Sequence, residues 1–310
     1  MKTVFFGTPE FAVPSLRALL GEGFPIGAVV TQPDKPQGRS RSNLLAPPVK
    51  QLALEEGIEV LQPERPRTEE FYNALRSLEP DIGVVVAYGH ILREDVLRIP
   101  THGMINVHAS LLPKLRGAAP IQHALIEGFE ESGVTIMQMD AGMDTGPILH
   151  QIETDIAQDE TFGELHSNLA ELGALALVEA LTMIGLGRIE PRPQNEAGAT
   201  YAPKIDRDTA HIVWTRSATQ IARIVRAMDP TPGAWTTLDG STVKLFGPVR
   251  SSWPLPDARP GQILASDEGL TVATGEGSLR FLDIQPAGRR RMSASDWLRG
   301  RGAEPGHIFE

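Results

Sequence analysis

The sequence contains no cysteine. Disulfide bonds, thiolate metal ligands and a cysteine nucleophile are therefore excluded, and a cytoplasmic location is the default expectation for such a chain. Aromatic residues are also scarce, at 5% of 310 residues, and we find no uninterrupted apolar run near the ~20 residues that a membrane span needs. We expect a cytoplasmic protein that does not associate with a membrane.

The common cofactor motifs are missing as well. The turn Gly7–Glu10 lacks the second and third glycines of the dinucleotide fingerprint, and Pro9 removes a backbone N–H that a phosphate would need. No Walker lysine motif is present, and the eight histidines show no spacing typical of metal ligands. We therefore expect no NAD, no nucleotide-binding loop of the Walker type and no metal.

Charge is unevenly distributed along the chain. The net charge of −10 argues against a general nucleic-acid binder, because binding to phosphates needs local positive charge. From Asp206 to the end, however, there are 13 Lys and Arg against 12 Asp and Glu, whereas the preceding residues have 16 against 27. The C-terminal part therefore permits contact with a polyanion.

Short apolar runs alternate with segments of helical periodicity through the first two-thirds of the chain. This alternation is typical of parallel βαβ units with helices on both faces of a sheet. The sequence therefore predicts a doubly wound α/β fold with a mostly parallel, Rossmann-like sheet. The predicted strands are Val4–Phe6, Ile26–Thr31, Ile82–Ala87, Ile105–His108 and Val134–Met139. The predicted helices are Val13–Leu20, Val49–Glu56, Glu69–Ser77, Ile121–Glu127 and Phe162–Ile184.

A change of pattern marks a second, smaller domain. Residues 188–205 contain three prolines and little periodicity, and they are followed by a predicted helix, Ala218–Met228. Short strand-like runs separated by Gly, Pro and Asp then favour a small β-barrel. We predict an α/β domain over residues 1–187, a linker over 188–205 and an OB-like β-barrel over 206–310. The runs are Ala234–Leu238, Thr242–Phe246, Gln262–Leu264, Leu270–Ala273 and Leu279–Leu282.

Asn106 and His108 are the first candidate site residues. They lie two residues apart on a predicted strand, so their side chains leave the same face. Such a pair suits chemistry in which a carbonyl oxygen becomes negative while a proton moves, although most pairs of this kind are ordinary hydrogen-bonded polar residues. Ligands of doubly wound sheets bind at the carboxyl ends of the strands. Because Tyr88–His90 and Asp140–Gly146 also follow strands, we expect these segments to converge on His108.

The loop from Lys35 to Lys50 has four basic residues and no acidic one. A solvated loop is an equally acceptable interpretation, since loops are generally polar. A long loop beside a catalytic edge is often functional, however, and positive charge within an acidic domain suggests a phosphate-bearing substrate.

Two motifs carry a family resemblance. Asn106–Gly117, which reads Asn-Val-His-Ala-Ser-Leu-Leu-Pro-Lys-Leu-Arg-Gly, resembles the signature of the 10-formyltetrahydrofolate-dependent formyltransferases. Asp140–Gly146 matches the loop that carries the essential aspartate of that family, here Asp144. Other segments resemble the members that act on an aminoacylated tRNA, so that the resemblance covers essentially the whole chain. These segments are Thr31–Arg39, Gly117–Gln122, Gln285–Arg289 and Met292–Ala294.

The resemblance implies a reaction and its residues. Asn106, His108 and Asp144 would be catalytic: the first two would stabilise a negative formyl oxygen, and Asp144 would orient His108 and help to move a proton. Because Asp144 and His108 would interact strongly, their protonation should be coupled. The formyl donor would be 10-formyltetrahydrofolate. It would bind, largely through backbone atoms, along two loops that contain Ser110, Leu111, Leu112 and Pro113, and Tyr88, Gly89 and Ile91.

The resemblance also implies the acceptor, which would be the α-amine of methionyl-initiator tRNA. Arg39 would contact the acceptor stem, with Lys35 and Arg41 in the same loop, and the second domain would hold the tRNA further down. We expect a monomer.

Two alternatives remain open. A formyltransferase for a nucleotide-linked amino sugar would share the fold, the folate and the catalytic residues, but it would not need the long basic loop. A non-catalytic RNA-binding protein would not need Asn106, His108 and Asp144 together.

Overall fold

The computed structural model describes residues 1–37, 43–251, 258–265, 269–300 and 302–310. The chain folds into two compact units. Unit 1 comprises Met1–Pro120, Glu131–Asp155 and His166–Ala202, and unit 2 comprises Ile121–Glu130, Ile156–Leu165 and Pro203–Glu310. Two short segments from the middle of the chain therefore belong with the C-terminal residues, a grouping that no sequence pattern indicated.

The strands of unit 1 are β1 (Thr3–Gly7), β2 (Ile26–Val30), β3 (Lys35–Gln37), β4 (Asn43–Leu45), β5 (Val60–Leu61), β6 (Ile82–Val86), β7 (Met104–His108), β8 (Glu131–Gln138) and β9 (Ile148–Asp155). A sheet with the strand order β5-β2-β1-β6-β7-β8-β9 forms the centre of the unit, and β3 and β4 form a separate two-stranded sheet. Every residue of β1 and β6 is buried. This is the pattern of central parallel strands that are covered on both faces.

Two of the helices begin at polar capping residues. The side chain of Thr68 accepts a hydrogen bond from the Phe71 N–H at the start of the helix Glu69–Ser77, and Ser217 with Gln220 forms a capping box at the start of the helix Ala218–Ala227. The helices are α1 (Val13–Gly21), α2 (Pro48–Glu55), α3 (Glu69–Ser77), α4 (Glu94–Leu97), α5 (Pro120–Glu127), α6 (Phe162–Gly185), α7 (Ala218–Ala227) and α8 (Ala294–Arg299).

The predicted α/β class with a mostly parallel sheet is confirmed, but the direction of β8 differs from the expectation of parallel βαβ units. Strand β8 runs antiparallel to β7, with Ile105 opposite Gln138 and His108 opposite Thr135. A parallel pair needs a crossover connection, usually a helix packed on the sheet. Helix α5, the helix between these strands, belongs to unit 2 from Ile121 onward.

Helix α6 is the longest helix of the described residues and is strongly apolar. By length and composition it is apolar enough to cross a membrane, although the sequence showed no uninterrupted apolar run of that length. Its Gly173 lies so close to the sheet that an added Cβ would be 3.0 Å from Cγ1 of Val107. Leu169, Leu177 and Leu181, which share that face, are buried. This is the packing of a core helix in a folded domain.

Unit 2 contains an antiparallel sheet with the order β10-β11-β14-β13-β12, and β15 pairs with β14. This curled half-barrel confirms the prediction of a second, smaller domain built around a β-barrel. Trp214 packs in its core, stacked on Phe309 at 5.6 Å and edge-on to Phe281 at 5.9 Å between ring centroids. The strands are β10 (Ala234–Leu238), β11 (Ser241–Ser251), β12 (Ile263–Ala265), β13 (Leu270–Ala273), β14 (Ser278–Pro286) and β15 (Met292–Ser293).

Residues 192–202 lie in the stretch that the sequence predicts to be a linker, and they are bound to unit 1 through backbone hydrogen bonds. Arg192 exchanges two such bonds of 2.8 Å with Ile148. Arg116 donates to the Thr200 carbonyl at 2.9 Å and accepts from the Ala202 N–H at 2.7 Å. We call these residues the 192–202 segment.

Candidate active site

The carboxyl ends of β1, β6 and β7 lie side by side. The strand register pairs Gly7 with Val86 and Val85 with Asn106. The segments that follow, which include Tyr88 and His108, therefore lie at the same sheet edge, where doubly wound folds bind their ligands.

His108 ends β7 and is only 5% exposed. Its Nε2 lies 3.0 Å from the carbonyl oxygen of Leu115. A carbonyl oxygen can only accept, so Nε2 carries a proton in this contact. The other ring nitrogen, Nδ1, lies 3.7 Å from Oδ2 of Asp144, which is an ion-pair distance but too long for a hydrogen bond. The imidazole is thus held through Nε2, and Nδ1 lies toward the carboxylate.

Asp144 is held by the backbone around it. The Gly117 N–H donates to Oδ2 of Asp144 at 2.8 Å, so the carboxylate oxygen that lies near His108 is also the one that is fixed. Asp144 itself has a φ of 55°, in the left-handed region. Aspartate tolerates this region better than most residues other than glycine, and the contacts of the loop stabilise it here.

The route by which Asp144 reaches His108 differs from the expected one. Because β8 is antiparallel, its carboxyl end lies beside the amino end of β7, and the Asp140–Gly146 loop therefore begins at the opposite edge from His108. The expectation that three carboxyl ends converge is wrong for this loop. The loop nevertheless places Asp144 near His108, and the Oγ1 of Thr145 donates to the Asp140 carboxylate at 2.8 Å within it.

Asn106 is half-buried on β7, and its two-residue spacing from His108 places both side chains on one face of the strand. Within the part of the chain that the structure describes, no hydrogen bond engages its amide. An amide in this position is available to donate to a substrate oxygen.

The Ser110–Pro113 loop is fixed from within unit 1. The buried Ser110 hydroxyl donates to the Lys114 carbonyl at 2.6 Å. Thr135 donates to the Ser110 carbonyl at 2.7 Å and accepts from the Leu112 N–H at 3.1 Å. The Leu112 side chain is buried, whereas Leu111 and Pro113 are partly exposed. The polar atoms of Ser110 thus serve the loop itself, and Leu111 and Pro113 offer the accessible surface.

The Tyr88–Ile91 segment divides between core and surface. The Tyr88 side chain is in the apolar core beside Phe6, where burial raises its pKa to about 12. Its carbonyl oxygen accepts from Gln32 Nε2 at 3.0 Å, and Gly89 adopts a φ of 84°. Ile91 is 93% exposed. The predicted folate role of this segment stays a prediction for its backbone and Ile91, because the Tyr88 ring is committed to the core.

The basic loop is described only at its two ends. Arg39 and Arg41 lie outside the described residues, and Lys35 is exposed on β3. Lys50 forms an ion pair of 2.8 Å with Asp34. A hydrogen bond from Gln62, and then Lys50, holds the pKa of Asp34 below its ordinary value. The charge of Lys50 is therefore compensated by an acid that lies just before the basic stretch.

Sequence reasoning missed the groups that hold His108 and Asp144. The Leu115 carbonyl and the Gly117 N–H act through the backbone, which leaves no side-chain signal. The glycine at position 117 is the one signal that sequence reasoning could have used. Its φ is 119°, and an added Cβ would lie only 2.8 Å from the Ala202 carbonyl oxygen, which explains why a glycine stands there. Among the described residues, no group of three or more His, Asp or Glu side chains could hold a metal ion.

Two family models match the chain. The model described as Formyl transferase matches residues 1–181, and the model described as Formyl transferase, C-terminal domain, matches residues 204–302. The fold and the site thus define a formyltransferase.

Relatives of nearly the same length narrow this class. The methionyl-tRNA formyltransferase of Methylococcus capsulatus is 48% identical over 299 residues, which cover 96% of either chain. The methionyl-tRNA formyltransferase of Halorhodospira halophila is 49% identical over 306 residues, which cover 98% of either chain. The chain belongs to the methionyl-tRNA formyltransferase family.

A solved structure shows how widely the fold is shared. The N-formyltransferase from Helicobacter canadensis, in complex with folinic acid and dTDP-3-aminofucose, has a TM-score of 0.67 at 19% identity. The match covers 92% of this chain and 99% of the other. At this identity the likeness is one of fold.

Proposed function

We propose that this protein transfers the formyl group of 10-formyltetrahydrofolate to the α-amine of methionyl-initiator tRNA. The observation that carries the proposal is the near-full-length identity to methionyl-tRNA formyltransferases, in a chain whose buried His108 lies between Leu115 and Asp144. We further propose that the protein works as a cytoplasmic monomer and needs no metal.

The reaction exchanges one bond for another. The amine nitrogen bonds to the formyl carbon, the bond from that carbon to N10 of the folate breaks, and one proton passes from the amine to N10. After the amine has bonded to the formyl carbon and before the bond to N10 breaks, negative charge develops on the formyl oxygen. Hydrogen-bond donors directed at that oxygen lower the barrier. The Asn106 amide, which no hydrogen bond engages among the described residues, is the first such donor.

His108 is the second donor, and the structure limits how it can act. Its Nε2 proton is used by the Leu115 carbonyl, so the proton offered to the formyl oxygen must be on Nδ1. The donating form therefore carries protons on both nitrogens. The Asp144 carboxylate, 3.7 Å from Nδ1, stabilises this imidazolium by its opposite charge.

Asp144 also takes part in the proton transfer. Its side chain is 20% exposed, whereas that of His108 is 6% exposed, so it is the member of the pair that an attacking amine or a bridging water can reach. A carboxylate in this place accepts the amine proton and returns it to N10, directly or through water.

Unit 2 offers a surface for the tRNA backbone. A cavity of about 640 Å³ within this unit is lined by Arg223, Arg226 and Arg250, together with Glu130 and Asp159. Burial, and then the charge of Arg223, lowers the pKa of Arg226. A phosphate group in the cavity would offset the repulsion between these two arginines, so the cavity supports contact with a nucleic-acid backbone. Arg39, with Lys35 and Arg41, would contact the acceptor stem.

A direct assay tests the proposal. The protein is incubated with 10-formyltetrahydrofolate and either methionyl-initiator tRNA or a dTDP-linked amino sugar. We expect formylation of the tRNA-bound methionine alone. Formylation of the amino sugar alone would assign the protein to sugar chemistry, and binding of tRNA without transfer to either acceptor would make it an RNA-binding protein.

A further inference from the structure

Gln194 connects the Asp144 loop to Arg116. Its Nε2 donates to the carbonyl oxygens of Asp144 and Gly146, each at 2.8 Å. Its Oε1 accepts from Nε and Nη2 of Arg116 at 3.1 and 2.8 Å. A single side-chain amide thus joins two backbone carbonyls of the catalytic loop to a guanidinium.

Arg116 is a rigid anchor for this amide. It is fully buried, at 0% exposure, and it donates to both carboxylate oxygens of Glu196 at 2.9 and 2.8 Å. The hydrogen bond with Glu196 raises the pKa of Arg116, so the charge is retained. A bidentate pair of this kind fixes orientation as well as distance.

The 192–202 segment, which contains Gln194 and Glu196, also contacts Leu115, whose carbonyl oxygen holds His108. Thr200 accepts from the Leu115 N–H through Oγ1 at 2.9 Å. The Leu115 carbonyl in turn lies 3.0 Å from His108 Nε2. One stretch of chain therefore contacts the group on each side of the imidazole.

We propose that Gln194 is a positioning residue of the transfer reaction: through the carbonyls of Asp144 and Gly146 it sets where the Asp144 carboxylate stands relative to His108. This inference rests on the proposed function. Asp144 has a left-handed backbone with a φ of 55°, and the two bonds from Gln194 fix the loop at this residue and two residues later. Gln194 contacts neither His108 nor the carboxylate oxygens among its described hydrogen bonds, so it acts through the loop.

The substitution Gln194→Glu separates the two functions of the amide. A carboxylate keeps an acceptor for Arg116, so folding should be retained, but it has no N–H to donate to the loop carbonyls. We expect kcat to fall on the order of 10- to 100-fold, because a misplacement near 1 Å costs rates of that size, while KM for the tRNA stays close to its original value. The matched control is Gln138→Glu, since Gln138 Nε2 donates to the His102 carbonyl at 3.3 Å, and its kcat should be unchanged.

A double-mutant cycle tests the route of action. If Gln194 acts through Asp144, then Gln194→Glu should have little further effect in an Asp144→Ala protein, as measured by single-turnover formyl transfer. The same fold-loss in both backgrounds would overturn the proposal, and so would an undiminished kcat in Gln194→Glu itself.

A crystal structure of Gln194→Glu provides a test that does not depend on activity. We expect the Asp144 carboxylate to be displaced and its bond with the Gly117 N–H to be lost. Retention of that bond at its present 2.8 Å would overturn the positioning role. Absence of formyl transfer in the unsubstituted protein would instead refute the proposed function, and the crystal structure would still decide whether Gln194 positions Asp144.

Discussion

The carbonyl oxygen of Leu115 lies 3.0 Å from Nε2 of His108 and holds the imidazole in place. The two residues are seven positions apart, in the segment that begins on β7 and turns back at the edge of the sheet. Because this contact uses one ring nitrogen, the chemistry of His108 is confined to Nδ1. Asp144, with Oδ2 at 3.7 Å from Nδ1, is too far to form a hydrogen bond with the ring, so its role in orienting His108 stays a prediction.

Asn106→Ala should lower kcat by about 10²-fold or more, because it removes a preorganised donor to the developing oxyanion. The free energy of unfolding should change little, since no described hydrogen bond of the fold uses the amide. The matched control is Asn168→Ala, which removes only an exposed contact to Thr154 at 3.4 Å. Steady-state kinetics and denaturant unfolding measure both effects. Near-normal turnover in Asn106→Ala would remove this residue from the mechanism.

Gly117→Ala should damage stability and turnover together. Its φ of 119° strains any L residue, and the new Cβ would lie 2.8 Å from the Ala202 carbonyl oxygen. Gly57→Ala is the matched control, because its φ of 68° is also left-handed but nothing lies within 4 Å of the added Cβ. We expect the free energy of unfolding of the control to fall by about 1–2 kcal/mol and its kcat to stay unchanged. Equal kcat in both variants would contradict the expectation that crowding at position 117 displaces the backbone N–H from Asp144.

In Tyr88→Phe, the free energy of unfolding should decrease less at alkaline pH than in the original protein. The buried hydroxyl has no hydrogen-bond partner among the described residues, and burial raises its pKa from 10.0 to about 12. The unfolded chain therefore releases this proton first, so the stability from neutral Tyr88 is complete below pH 10 and is lost as the pH rises toward about 12. Urea unfolding between pH 8 and 11.5 should show a shallower decline for the variant. An identical decline in the two proteins would contradict the burial argument.

Local sequence patterns were enough to predict the strand that carries Asn106 and His108. The two-residue spacing of Asn106 and His108 predicted a shared strand face, and the end of β7 lies where the strand pattern placed it, at His108. The motif around Asp144 predicted a residue that the structure places 3.7 Å from Nδ1 of His108, and its catalytic role stays a prediction. Strand β8 is antiparallel, so proximity to His108 comes from the path of the loop.

The contacts that sequence reasoning could not find are backbone contacts and contacts between distant residues. The Leu115 carbonyl and the Gly117 N–H have no side-chain signature. Gln194 lies 50 residues from Asp144 and 78 residues from Arg116, in a stretch whose prolines favour a linker. Composition describes such a stretch as irregular, but only the fold shows that it holds two loops of the site.

Arg223→Gln should raise KM for methionyl-tRNA while kcat at saturating tRNA is retained. If Arg223 contacts a phosphate, the slope of log K against log salt should fall by about one. A point variant suits this test better than truncation, since residues 121–130 and 156–165 belong to unit 2 and would lose their partners. The control is Arg98→Gln, an exposed arginine paired with Glu94 in unit 1. An unchanged slope would place the phosphate contacts elsewhere, with the loop of Arg39 as the next region to test.

The central step of the proposed mechanism is the hydrogen bond that His108 donates to the formyl oxygen during transfer to methionyl-tRNA. Single-turnover transfer from saturating 10-formyltetrahydrofolate, measured for the original protein and for His108→Ala, tests it most directly. We predict a rate lower by about 10²-fold or more, with binding of both substrates retained. A rate within a few-fold of the original, with both substrates bound, would contradict the account.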